Sequence, residues 1–248
     1  MDLHFAKIIS NILVCFIKSS ERRKIVRRKI RENLTFRMLS LYDIVRNKIF
    51  NNSIKILDSN GKEHLFFYPQ GIKIKFRGKN SKIIIHTPSL FDGCSFDVGS
   101  DSIIEISNTE HIIRNLSIQT QDFVKVSIGK DFSCEGCGIG ADRDVFIGND
   151  CMFSFGINLL TSDCHTIYDI QNHNPINIPE RGIKIGNHVW FGKNTTILKE
   201  VSLCNNIIVG ANSTVIKDNT IENTIIAGSP AKVIKKNIGW KRENNIYN

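Results

Sequence analysis

Apolar residues recur at every sixth position from Ile185 through Phe191, Ile197, Leu203, Val209 and Val215 to Ile221. A period of six matches neither the 3.6-residue helix nor the two-residue strand, so the chain must bend at regular intervals and stack on itself. Gly186, Gly192 and Gly210 follow directly on three of these positions, where the missing Cβ permits a positive φ or a close backbone neighbour. The same step links Ile147, Phe153 and Leu159, and its next landing is His165, a polar residue on what the rhythm makes a core phase. The repeat then yields to a polar stretch over 166–182 containing Pro175 and Pro179. It resumes at Ile185 almost in phase, which predicts a loop inserted at one corner beside a functional site.

Before residue 98 the rhythm does not settle the register. Short β-branched runs at Ser53–Leu57, Ile72–Phe76 and Lys82–His86, separated by Gly, Asn, Asp and Ser, predict strands and turns. Residues 1–50 differ again: after Met1 they contain no Gly or Pro, and Ile25, Val26, Ile30 and Leu34 interleave with Arg22, Arg23, Lys24, Arg27 and Arg28. This pattern predicts a basic amphipathic helical segment. It would either cap the first coil with its charged face in solvent or rest on an anionic membrane surface. The expected organisation is therefore this segment, a β-solenoid domain over 51–236 with the 166–182 insertion, and a C-terminal tail over 237–248.

Of the formal charge of +9, residues 1–50 carry +8, with 12 Lys and Arg against 4 Asp and Glu. A body so nearly neutral is a poor nucleic-acid surface, and no nucleic-acid partner is expected. The apolar run Leu3–Ile17 is broken by His4, Lys7, Ser10 and Asn11 and is short for a bilayer span. Its basic residues mostly follow it, the reverse of a signal peptide. A cytoplasmic protein, at most peripheral at the inner membrane face, is the expectation. Seven cysteines, an odd number, suggest reduced thiols buried as small apolar side chains. Cys134 and Cys137 with Cys151 and Cys164 lack the matched close pairs of a zinc site, and no metal is expected. His165, His173 and His188 likewise lack the close pair that a zinc-hydroxide site would need.

The segments Gly186-Asn187-His188-Val189-Trp190-Phe191-Gly192, Val209-Gly210-Ala211-Asn212-Ser213-Thr214-Val215 and Ala227-Gly228-Ser229-Pro230-Ala231-Lys232 resemble the C-terminal signature of hexapeptide-repeat acyltransferases. Within that family, Thr161-Ser162-Asp163-Cys164-His165-Thr166-Ile167-Tyr168 is most similar to bacterial O-acetyltransferases of capsule, polysialic acid and lipopolysaccharide sugars. The resemblance covers about residues 125–240. It implies an all-β, left-handed parallel β-helix and a homotrimer with active sites between adjacent prisms. Acetyl-CoA would be the donor and a surface polysaccharide sugar the acceptor, with direct transfer and no acyl-enzyme.

In that frame His165 is the expected general base, accepting the proton of the acceptor hydroxyl, a role that calls for an imidazole within hydrogen-bond reach. Asp163, two residues earlier, would lie on the same side of an extended segment and orient the imidazole. Trp190, one residue before core Phe191, should face outwards and wall the groove; its alternative is burial at the trimer seam. By position in the motif, Gly192 and Ala211 would offer main-chain contacts to the donor. Lys217, Lys232 and Lys235 would approach its phosphates, the last two on one side if the segment after Pro230 is helical. Sugar O-acetylation is the leading expectation. N-acetylation of an amino-sugar nucleotide and a non-catalytic trimeric scaffold are the two alternatives.

Overall fold

The structure is a computed structural model that describes residues 36–38, 41–64 and 67–243. Its strands wind into a three-sided parallel β-solenoid of about seven turns, with walls of eight, eight and seven strands among the described residues. The chain visits the walls in a fixed order: Ile183–Ile185 in a first wall, Trp190–Phe191 in a second and Thr196–Ile197 in a third. Side chains alternate across each strand, so every second residue enters the prism. The hexad positions are the inward ones. Ile147 pairs with Ile185 and Ile185 with Leu203 on the first wall, Phe153, Phe191 and Val209 line up on the second, and Leu159, Ile197 and Val215 on the third. All are buried.

The rhythm ends sooner than the sequence suggests. Ile221 is 45% exposed, because the last coil is shortened: Val209 pairs with Ile226, and Leu203 bridges to Asn219. Asn219 takes the buried place, with Nδ2 donating to Thr224 Oγ1 at 3.0 Å, so the polar substitution is satisfied inside the wall. At the other end the coils are longer. Ile72–Phe76, Cys94–Val98 and Leu116–Thr120 are five-residue strands, three stacked neighbours in the third wall, against the two residues of Thr196–Ile197. A five-residue strand writes a period of two into the sequence, which hides a hexad.

The glycines act through proximity. A Cβ on Gly186 would lie 2.5 Å from the Cys204 carbonyl, and one on Gly192 2.7 Å from the Ala211 nitrogen, both in the next coil. The positive φ falls two residues later, at His188, Asn194 and Asn212, where the chain turns the corner. Asn and Asp dominate such corners because their short polar side chains tolerate this region.

At each end, among the described residues, one wall is closed by an antiparallel strand. Glu63–His64 folds back on Ile56 and Leu57 at the first wall, and Ala231–Lys236 on Thr224–Gly228 at the second. Within the expected basic helical segment, Leu41–Ile49 is a helix, but Phe36–Met38 is a strand, since antiparallel pairing with Phe67–Pro69 satisfies its backbone. Residues 1–35 lie outside the described residues. No helix among the described residues is long and apolar enough to cross a membrane. Cys94, Cys134, Cys137 and Cys151 pack in the core as small apolar side chains, and burial pushes the Cys94 thiol up to about 11 and that of Cys151 to about 12. Cys164 is exposed and Cys204 half-buried, against the expectation that the thiols are uniformly buried.

Candidate functional site

The inserted loop leaves the third wall after Leu160 and re-enters the first at Ile183. Its base is built rather than merely long. Buried Thr161 accepts on Oγ1 from the amides of Asp142 and Arg143 at 2.7 and 3.1 Å, and Ser162 donates to Asp142 Oδ2 at 2.7 Å. On the returning limb, Arg143 Nε donates to the Pro179 carbonyl at 3.1 Å and the Ile183 amide to Asp144 O at 3.0 Å. Gly182 makes that return fit, because a Cβ there would sit 1.8 Å from Asp144 O.

His165 lies at this base, in a cavity of about 230 Å³ that Arg143, Ser162, Thr166, Asn177 and Pro179 help to line. Its position is fixed through the main chain: its amide donates to Asp163 O at 2.7 Å and its carbonyl accepts from Asn177 Nδ2 at 2.8 Å. The imidazole itself is exposed and makes no hydrogen bond among the described residues. The core phase suggested by the hexad does not apply to it, since the wall strand ends at Leu160 and no wall carries the six-residue step on to His165.

No hydrogen bond joins the Asp163 carboxylate to His165 among the described residues. Asp163 instead accepts from Lys199 Nζ and, at 2.8 Å, from Asn177 Nδ2. The bonds from Lys199 and then Asn177 hold the carboxyl below its ordinary value of 3.8. Because the shift is downward, this tie is intact above the ordinary value and is lost as pH falls through the depressed one. Lys199 Nζ also donates to Asn177 O at 3.1 Å, so one ammonium holds both limbs of the loop. Lys199→Met is expected to lower the turnover number of transfer roughly ten- to a hundredfold by loosening His165. Transfer kinetics alongside thermal melting checks this, and an unchanged turnover number with unchanged melting would remove the role from Lys199.

The other candidates lie elsewhere on the prism. Trp190 faces outwards from the second wall, 36% exposed behind fully buried Phe191, as the period-two argument requires. The Gly192 amide is engaged by Val209 O at 2.8 Å, while its carbonyl accepts from Thr195 Oγ1 at 2.6 Å and keeps a second lone pair. Exposed Ala211 makes no hydrogen bond among the described residues. Lys217 is exposed at the corner that also carries Lys199 and the loop. Lys232 and Lys235 project from a strand, not a helix, Ala231–Lys236. A register shift between Ile225 and Ile226 places Lys235 opposite Ile225 and Lys232 opposite Ala227. Those two partners lie two apart on one face, so the bulge gives the lysines the common side that a helix would have given.

One constellation escaped the sequence. His188 and Asp150 occupy the same corner in successive coils, both with positive φ, and His188 Nδ1 meets Asp150 Oδ2 at 2.6 Å. Arg242, from the expected tail, donates through Nε to Asp150 Oδ1 at 2.7 Å. Partial burial opposes ionisation of Asp150, but the bonds from Arg242 and His188 outweigh it and keep the carboxyl below the usual range. The only signal available was Trp240, the second of two tryptophans in the chain. Among the described residues no cluster of His, Cys, Asp and Glu has the arrangement of a metal site.

No family model matches the chain. Among curated proteins, it is 34% identical over 147 residues to the polysialic acid O-acetyltransferase of Neisseria meningitidis, covering 50% of this chain and 68% of that one. It is 38% identical over 78 residues to the polysialic acid O-acetyltransferase of Escherichia coli O1:K1 / APEC, covering 30% and 25% respectively. Among solved structures it superposes on the polySia-specific acetyltransferase NeuO with a TM-score of 0.56 at 28% identity, over 78% of this chain and 86% of that one. For the polysialic acid O-acetyltransferase OatWY the TM-score is 0.53 at 27% identity, over 80% and 91%. With its three-walled solenoid, its corner loop and these relatives, the chain belongs to the polysialic acid O-acetyltransferase family and is a hexapeptide-repeat acyltransferase.

Proposed function

We propose that this enzyme transfers an acetyl group from acetyl-CoA to a hydroxyl of a sugar in a bacterial surface polysaccharide. A sialic acid polymer is the acceptor class that the relatives' names point to. The observation that carries the reading is the unpartnered imidazole of His165, on a main chain held at both its amide and its carbonyl, in an open cavity at the loop base. There His165 takes the proton of the acceptor hydroxyl as its oxygen attacks the thioester carbonyl. The carbon–sulfur bond then breaks, and the imidazolium returns that proton to the leaving thiolate. A second groove of about 670 Å³ runs along the first wall from the same corner, sharing Asp142 and Arg143 with the first and exposing Phe146. A polymer crossing the cavity has this path to follow.

The topology supports assembly. His165 sits at the corner joining the third and first walls, which in a triangular prism lies opposite the second wall carrying Trp190, Lys232 and Lys235. One site containing both sets draws on two chains, as a homotrimer of adjacent prisms supplies. The exposed lysines and the Ala211 amide suit the phosphates and pantetheine arm of the donor. Incubating the purified chain with acetyl-CoA and sialic acid oligomers should give products heavier by single acetyl groups, lost on mild ester hydrolysis. Calorimetry should show saturable acetyl-CoA binding. An absence of binding would favour the scaffold, and acetylation confined to an amino-sugar nucleotide would favour the N-acetyltransferase.

A further inference from the structure

Beyond the end strand Ala231–Lys236 the chain does not trail away. Asn237 takes a positive φ, the Ile238 amide donates to Asn223 O at 3.0 Å, and the segment turns back along the corner between the first and second walls. Trp240 lies on His188 with ring centroids 4.1 Å apart and planes within 7°. Its Nε1 donates to His188 O at 3.0 Å, while its own carbonyl contacts His188 Nε2 at 3.1 Å.

Arg242 locks the end of this strap. Besides its bond to Asp150 it donates to Ser133 Oγ at 2.7 Å, Asp131 O at 2.8 Å and Cys151 O at 2.9 Å. Its side chain is only 19% exposed, and its guanidinium carbon stands 5.8 Å from the Trp240 ring centre. A surface tail held only by chance contacts would not bury a guanidinium against two successive coils. The strap also places the two indoles of the chain side by side, Trp190 and Trp240, with centroids 6.1 Å apart and planes at 47°.

We infer that Trp240 and Arg242 are positioning residues: docked on His188 and Asp150, the strap backs Trp190 and sets the indole that walls the acetyl-transfer groove. The inference rests on the assignment of Trp190 to that groove. An outward-facing Trp on a two-residue strand has rotamer freedom unless a neighbour restricts it, and small misplacements of a wall are costly to transfer. Trp240 provides the neighbour, and Arg242 keeps Trp240 in place from two residues away.

The full chain carries its own reporter, because two indoles this close give an exciton couplet in far-ultraviolet circular dichroism. Trp190→Ala and Trp240→Ala should each abolish the couplet. Arg242→Ala should weaken it and Arg242→Lys should partly restore it, with the solenoid's β-sheet band and melting retained. In transfer assays, Trp240→Ala and Arg242→Ala should lower kcat/KM roughly tenfold in the wild-type background and less than about twofold beside Trp190→Ala. The pH profile of the remaining activity should be unmoved. A couplet that survives Arg242→Ala, or losses as large beside Trp190→Ala as in wild type, would overturn the positioning role. Full activity of Trp190→Ala would instead overturn the place of Trp190 in the groove, and with it the strap's effect on transfer, while the couplet separately decides whether the strap is docked.

Discussion

His165→Ala is expected to reduce acetyl transfer by about 10²–10⁴-fold while leaving acetyl-CoA binding and folding intact. The size of the effect follows from what is removed, the group proposed to take the proton of the attacking hydroxyl. Its selectivity follows from how the residue is held. The anchoring bonds run from its amide to Asp163 and from Asn177 to its carbonyl, and alanine keeps both. The exposed imidazole packs against no core, so stability should change by no more than about 0.5 kcal/mol. Single-turnover transfer, donor calorimetry and melting on the same preparation test the three parts together. Transfer within a few-fold of wild type would move the base elsewhere on the chain.

The largest expected change in stability comes from the core behind the second wall. Phe132, Phe153 and Phe191 form a ladder of edge-to-face rings with centroids 5.0 and 4.5 Å apart, all essentially without solvent exposure. Phe153→Ala empties the middle rung and should cost about 3–5 kcal/mol, including the loss of two aromatic pairings. Against a domain stability of about 5–15 kcal/mol this is a large share. Each coil touches only its neighbours, so the loss should fall on the coils carrying Phe132 and Phe191 and loosen Trp190, which precedes Phe191. Denaturant unfolding measures the total and hydrogen exchange its location. A loss below about 1 kcal/mol would mean the coils close over the gap and the ladder is not what holds them.

Much of the architecture was legible because a hexad is rare, and Ile147, Phe153 and Leu159 with Ile185 to Val215 all lie where it places them. It misled where coil length changes. Ile221 falls outside because the last coil is shortened, and the early coils are opaque because their five-residue strands alternate inside and outside. Trp190 was readable from one neighbour's phase. The surroundings of Asp163 were not, since Lys199 reaches it from the next coil, 36 residues away in sequence. The partnership of Asp150, His188 and Arg242 spans up to 92 residues and depends on two coils turning the same corner in step. No local pattern writes such a contact. The lysines of the end strand show a third case, in which the inferred common side is present but a β-bulge, invisible in composition, produces it.

The antiparallel strands at the two ends have a consequence for how copies of this chain can meet. A parallel solenoid with bare terminal coils invites a second copy to continue the stack, and repetition of that step is a fibre. Here Glu63–His64 occupies the edge of the first wall at one end, and Ala231–Lys236 that of the second at the other, each running against the direction a further coil would need. End-to-end stacking is thereby disfavoured along those two walls.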